Sequence, residues 1–299
     1  MQGFKYKFSV IIPTYNRSAS LDRCLSSLVK QTYKDFEVII CDDGSIDNTK
    51  ETVENYKKEL KIKYIYQDNW GGPAKPRNAG IISSESEWIC FLDSDDWYSD
   101  NRLQFLADLD LNKYDLLYHD LEIVSGHTNT GRITSRQLNN KDIYHDLLYN
   151  LNAIPTSSTC IRKKILDEVS GFSEERSIIG LEDYDLWIRL GKLNIRTKYI
   201  PMVMGSYYIG DNNITYSDYR QIARFKALFT YFIEITNDPY EISRIQASLS
   251  YSIGILQLKN GDIKDGYNSL VKSLLSGSVR IKIRSIYHMI KGLKYTYKK

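Results

Sequence analysis

Four short runs rich in β-branched and aromatic residues fall within the first hundred positions, at 8–12, 36–41, 62–66 and 88–92. Three of them end in polar clusters: Pro13-Thr14-Tyr15-Asn16, Asp42-Asp43-Gly44-Ser45 and Asp93-Ser94-Asp95-Asp96. Helical patterns separate the runs. Leu21, Cys24, Leu25, Leu28 and Val29 recur at helical spacing. Asp47-Asn48-Thr49 opens a second helix reaching about residue 60. Gly71-Gly72-Pro73 breaks the chain ahead of a short helix ending near Ile82. Strands alternating with helices predict βαβ units, hence an α/β fold with a doubly wound, mainly parallel sheet. Ligands of such sheets bind beyond the carboxyl ends of the strands, where the polar clusters lie.

The stretch from 110 to 215 is less regular. Strands are expected at 114–124, 158–162 and 195–208, and helices at 140–151 and 181–190. From Tyr219 the pattern is wholly helical. Residues 251–275 read as helix, Gly turn, helix, like one tetratricopeptide-type hairpin. These patterns divide the chain into 1–216 and a helical C-terminal region, 217–299.

Composition excludes several classes. The chain is 42% hydrophobic and 26% charged, the balance of a globular protein that buries its own core. Its longest apolar run, 88–92, is far shorter than the roughly 20 residues of a membrane helix. The first residues lack the apolar stretch of a signal peptide. Cys24, Cys41, Cys90 and Cys160 show no C-x-x-C pairing, which favours reduced thiols and a cytoplasmic setting. His119, His127, His145 and His288 have no metal-ligand spacing. Net charge is +3, yet 271–299 carries eight Lys and Arg and no acid, so the remainder is net negative. Within that tail Val279, Ile283, Ile286, Ile290 and Leu293 share a helical stripe. The segment therefore reads either as a helix lying on an anionic membrane surface or as one packed on its neighbours. Basic residues confined to one tail, without an aromatic platform, argue against nucleic-acid binding.

The strongest chemical signal is Asp93-Ser94-Asp95-Asp96. Carboxylates at D-x-D spacing, just past a buried strand, suit a hard divalent cation that also takes phosphate oxygens as ligands. An acidic turn capping the next helix is the competing reading.

Together, Ser9-Val10-Ile11-Ile12-Pro13-Thr14-Tyr15-Asn16, Asp42-Asp43-Gly44-Ser45, Arg77-Asn78, Asp93-Ser94-Asp95-Asp96 and Glu182-Asp183 resemble family 2 inverting glycosyltransferases of GT-A fold. The likeness covers about residues 5–215. It implies bacterial surface-polysaccharide synthesis of O-antigen or capsule type. By position, it implies that Pro13 and Tyr15 lie beside uracil and that Asp43 accepts from uracil N3–H. Arg77 and Ser94 would bind the nucleotide, with Asp93 near ribose or metal. Asp95, with Asp93, would hold Mn²⁺ or Mg²⁺. Asp183 would be the base, with Glu182 holding the acceptor or serving as the alternative base.

The implied reaction moves a hexose, glucose or galactose favoured, from a UDP-sugar to an acceptor hydroxyl. The implied acceptor is a lipid-diphosphate-linked glycan met at the inner face of the cell membrane. The chain departs from the family at 206–215, where a Tyr-Arg-x-His-type segment is replaced and Gly210 stands in place of His. That departure is the feature favouring a non-catalytic sugar-nucleotide-binding protein. A sugar-1-phosphate nucleotidyltransferase would be expected to carry a Gly-rich loop after its first strand, and this chain has none there.

Overall fold

The computed structural model describes residues 4–126, 128–210 and 219–296, with the backbone alone described from 292. The chain forms two compact units. One comprises 1–141, 153–174 and 192–212; the other comprises 142–152, 175–191 and 213–299.

The first unit carries the sheet. Its elements are β1 (Tyr6–Thr14), α1 (Ser18–Val29), β2 (Phe36–Asp42), α2 (Thr49–Tyr56), β3 (Ile62–Tyr66), α3 (Ala74–Ser83) and β4 (Ser86–Phe91). Then follow β5 (Trp97–Tyr98), α4 (Arg102–Ala107), β6 (Leu116–Ser125), β7 (Thr128–Ile133), β8 (Cys160–Arg162), α6 (Lys163–Glu168) and β9 (Thr197–Ile209). Strand order is β3-β2-β1-β4-β8-β6-β9-β5, with β7 on the outside of β6. The pairings β3-β2, β2-β1 and β1-β4 are parallel, as βαβ alternation requires. Beyond β4 the sheet becomes mixed, with β8 antiparallel to β4 and β6, and β9 parallel to β6. This is the α/β arrangement that alternating strands and helices predict, and the one that the family resemblance implies.

β1, β2 and β4 are buried along nearly their whole length, so they read as continuous apolar runs rather than alternating ones. One core joins Phe8, Val10 and Ile12 with Leu21, Leu25, Val38, Ile40, Trp88 and Leu103. Helix α3 approaches β1 and β2 closely through Gly80, where a Cβ would lie 2.5 Å from Ile11 Cγ2 and 3.0 Å from Cys41 Sγ. All four cysteines are free and buried.

The second unit is helical: α5 (Ile143–Asn150), α7 (Glu182–Leu190), α8 (Arg220–Glu234), α9 (Pro239–Lys259), α10 (Ile263–Ser276) and α11 (Val279–Thr296). α9 and α10 form the expected helix–turn–helix pair. Gly254 and Gly266 let the two backbones close; a Cβ at Gly254 would sit 3.0 Å from the Gly266 carbonyl. Tyr251, Leu270 and Ile281 form this unit's small core. Among the described residues, no helix is long and apolar enough to cross a membrane.

Candidate active site

The polar turns after β1, β2 and β4 are tied to one another. Asn16, in the left-handed region at φ +50°, donates its N–H to Ser45 Oγ (2.8 Å) and accepts the Ile46 N–H (2.8 Å). Asn tolerates this conformation better than most residues. Gly44 also has positive φ, and a Cβ there would meet Asn69 N at 2.9 Å. Asp47 ties the starts of α1 and α2 together by accepting from Ser18 N–H and Thr49 N–H, each at 3.0 Å. Pro13 is buried late in β1, past the last pairing with β4, where its missing N–H costs nothing. The Tyr15 ring stands 46% exposed beside this turn.

Asp42 and Asp43 divide their work. Asp42, fully buried, accepts from Ser45 N–H (2.7 Å) and Tyr64 O–H (2.5 Å), so it builds the turn. Asp43 Oδ1 accepts from Gln67 Nε2 (2.8 Å) and Trp70 N–H (2.9 Å), and Oδ2 accepts from Gly71 N–H (3.0 Å). An ionised carboxylate has about four acceptor positions. These contacts leave room on Oδ2 for one further donor.

Past β4, three acids crowd together. Arg77 donates to Asp93 Oδ1 (2.6 Å), and its guanidinium lies 5.1 Å from the Phe172 ring centre. Pro76 sits in the first turn of α3, where no intrahelical N–H is needed, so it leaves Arg77 free to face inward. Asn78 pins the 172–174 segment, donating to Phe172 O and Glu174 Oε1 (2.9 Å each) and accepting the Phe172 N–H (2.8 Å). Lys75 lies over the Trp70 ring at 5.0 Å. Arg17 pairs with the Asp95 carboxylate. Burial raises the Asp95 carboxyl above its usual range; Arg17 opposes the rise and Asp93 adds to it. Ser94 is buried between the two acids.

Asp96 does not cap α4. Asn101 occupies the cap position there, without a side-chain bond. Instead Asp96 accepts from Ser157 Oγ (2.5 Å) and Tyr208 N–H (2.9 Å). Burial, then Asp95 and Asp93, push its carboxyl well up. Sequence reasoning missed three groups here: Arg17, Ser157 and Arg23. The Arg23 guanidinium lies 4.5 Å from the Trp97 ring centre and 4.2 Å from that of Tyr208, and it donates to the Asp95 carbonyl (2.7 Å). No local motif announces these residues.

Glu182 and Asp183 belong to the second unit, in the acidic first turn of α7. Gly180, at φ +85°, turns the chain into that helix. Glu182 is 4% exposed and accepts the Gly180 N–H (2.5 Å). Asp183 is half-buried and accepts the Tyr184 N–H (2.6 Å). Acids in a first turn complement the helix dipole. Asp185 takes Arg189 Nε–H one turn on (2.7 Å), while burial raises its carboxyl against that pairing. Tyr184 O–H donates to Leu147 O (2.7 Å) and its ring meets Phe229 edge-on, which fixes the helix start.

Asp93 and Asp95 would offer a cation hard oxygen donors, each beside the arginine that now pairs with it. Among the described residues, no three or more His, Cys, Asp or Glu side chains are arranged so that together they could hold a metal ion. The donor set therefore fits an ion sharing diphosphate oxygens, since Mg²⁺-type sites take one or two carboxylates plus phosphates. It does not fit an all-protein cage. Asp211 and Asn212, which follow Gly210, lie outside the described residues.

Comparison with known proteins identifies the family of the chain. The chain is 27% identical, over 87% of its length and 98% of the relative's, to the Escherichia coli UDP-Glc:alpha-D-GlcNAc-diphosphoundecaprenol beta-1,3-glucosyltransferase WfgD. It is 40% identical to the Staphylococcus aureus poly(ribitol-phosphate) beta-N-acetylglucosaminyltransferase TarS over 40% of this chain and 22% of TarS. The fold matches the crystal structure of TarS 1-349 in complex with UDP-GlcNAc, with TM-score 0.65, 24% identity and coverage of 92% and 82%. It also matches a Pyrobaculum calidifontis mannosyltransferase in complex with GDP-Man and Mn²⁺, with TM-score 0.62, 16% identity and coverage of 99% and 83%. The family description "Glycosyl transferase family 2" matches residues 9–170, more than half of the chain, and the chain belongs to that family.

Proposed function

We propose that this glycosyltransferase moves a hexose, glucose or galactose, from a UDP-sugar to a hydroxyl of a lipid-diphosphate-linked glycan, with inversion, in surface-polysaccharide synthesis. The observation that carries the reading is Asp43. A buried carboxylate, held by three donors and with one acceptor position left, suits an imide N–H such as uracil N3–H. The exposed Tyr15 ring supplies a stacking face for the base. Support for the donor and acceptor classes comes from the name of WfgD and from the UDP-GlcNAc complex of TarS.

Arg77 binds the donor's diphosphate in this reading, and Arg17 stands ready to exchange Asp95 for the same anion. Asp93 and Asp95 would hold Mn²⁺ or Mg²⁺, and the ion would neutralise charge on the departing diphosphate. Asp183, more exposed than Glu182, takes the acceptor proton as the hydroxyl oxygen attacks the anomeric carbon. The oxygen–carbon bond forms as the bond to diphosphate breaks on the opposite face. A single displacement therefore converts an α-linked donor into a β-glycoside.

The test is UDP release across a panel of UDP-sugars with undecaprenyl-diphosphate-linked sugar acceptors, with and without EDTA. UDP-glucose or UDP-galactose with such an acceptor should turn over, and EDTA should abolish it. Turnover with only other nucleotide-sugars would overturn the donor assignment, and full activity in excess EDTA would overturn the metal.

A further inference from the structure

Helix α11 presents two opposite faces, and only one is used inside its own unit. Ile281 and Ser285 are fully buried. Ser285 Oγ meets Ser273 Oγ at 2.6 Å on α10, Tyr267 O–H donates to Met289 O, and the Tyr251 ring meets His288. These contacts seat one side of α11 on α9 and α10.

The apolar stripe lies on the other side. Val279 is 74% exposed, Ile283 62%, Ile286 50% and Ile290 56%, and Tyr287 beside them is 57% exposed. At about 100° per residue the four aliphatic positions fall within about 60° of arc, roughly opposite Ile281 and Ser285. Leu275 and Val271, one turn apart at the end of α10, are exposed as well. Leu293 and Lys294 fall where only the backbone is described. An outward row of aliphatic side chains on a docked helix needs a partner, because isolated exposed apolar residues are ordinary but a continuous stripe is not.

The charges select the partner. Arg280, Arg284 and Lys291 flank the stripe on one side and Lys282 on the other, and 271–299 contains no acid. The local field is positive. Burial lowers the His288 imidazole pKa, and Lys291, Arg284 and Lys259 lower it further.

We infer that the exposed face of α11 is a docking surface for an anionic lipid bilayer, on which the helix lies flat without crossing. The aliphatic stripe enters the headgroup boundary, Tyr287 sits at the interface, and the flanking bases meet lipid phosphates. This inference stands on the second unit alone and does not depend on the donor chemistry proposed above. It would hold the enzyme where a lipid-borne acceptor resides.

The full chain is tested by co-sedimentation with phosphatidylcholine vesicles, with and without phosphatidylglycerol, at low and high salt. The expected result is binding to the anionic vesicles, weakened by salt, and little binding to neutral ones. Arg280→Gln with Lys291→Gln should weaken anionic binding by roughly 25-fold, about fivefold per charge. Ile283→Glu with Ile290→Glu should abolish it, with circular dichroism and UDP affinity unchanged because both side chains already face outward. Wild-type sedimentation of the Ile283→Glu/Ile290→Glu chain would overturn the inference. So would equal binding to neutral and anionic vesicles. Sedimentation velocity showing that the stripe joins two copies, with no vesicle binding, would overturn it in favour of a protein interface.

Discussion

The Ser157 hydroxyl donates to Asp96 Oδ2 over 2.5 Å while accepting the Asp93 N–H over 3.1 Å. One side chain, more than sixty residues downstream, thus holds both ends of the acidic turn. Ser157 and Asp96 are almost fully buried, so losing the hydroxyl leaves two polar groups short of a partner. Ser157→Ala is expected to cost about 1–3 kcal/mol in stability and to weaken nucleotide binding. Thermal denaturation and UDP titration check this, and an unchanged melting curve would refute it.

Asp43→Asn replaces an acceptor with a group whose NH₂ faces the Trp70 or Gly71 N–H. Hydrogen bonds to charged groups are worth about 1.5–3 kcal/mol, so UDP affinity should fall about ten- to hundredfold. The preference for UDP over CDP should shrink with it. Calorimetric titration of both nucleotides, with circular dichroism as a folding control, makes the measurement. Wild-type UDP affinity in the variant would remove uracil from Asp43.

At α7 the two acids make opposite forecasts. Asp183→Asn should fold and bind UDP normally but lose transfer by about 10²–10⁴, the usual worth of a general base. Glu182→Gln should instead loosen the turn at Gly180, because its carboxylate accepts that N–H. An active Asp183→Asn beside a dead Glu182→Gln would move the base by one residue.

Deeper in the sheet, Arg102 Nε–H donates to His119 Nε2 (2.8 Å), so that nitrogen carries the lone pair and Nδ1–H serves Asp120 O (2.8 Å). Burial, then the Arg102 charge, holds this imidazole well below its ordinary pKa. The unfolded chain takes up the proton near pH 6.5 and the folded chain does not. His119 therefore contributes stability that is present above pH 6.5 and is lost as pH falls below it. His119→Gln should flatten the decline in stability between pH 7 and 5, read by denaturant titration. Equal pH slopes for the two proteins would contradict the assignment.

The parts of this architecture legible in the sequence are those written in hydrophobic runs. β1, β2 and β4 are buried on both faces, so their strands and closing turns show directly. β7 escaped because five of its six residues are exposed, leaving no apolar pattern, and β5 escaped because two residues make no pattern at all. Arg102 belongs to no motif in the sequence, yet it is fully buried, bonded to His119 and to the Ser158 and Thr159 carbonyls. The acidic turn itself was visible. Its supports, Ser157, Arg23 and Tyr208, come from distant segments brought close only by the sheet.

The division of the chain carries a consequence for synthesis. The unit that holds Asp43, Asp93 and Asp95 ends at residue 212, whereas the unit that holds Asp183 needs helices beginning at Arg220. Tyr184, next to Asp183, rests on Phe229 of α8. As the chain leaves the ribosome, the sheet can close while α7 still waits for its seat. A nascent chain stopped short of α8 would thus carry the acidic turns of the sheet with the start of α7 still unsupported.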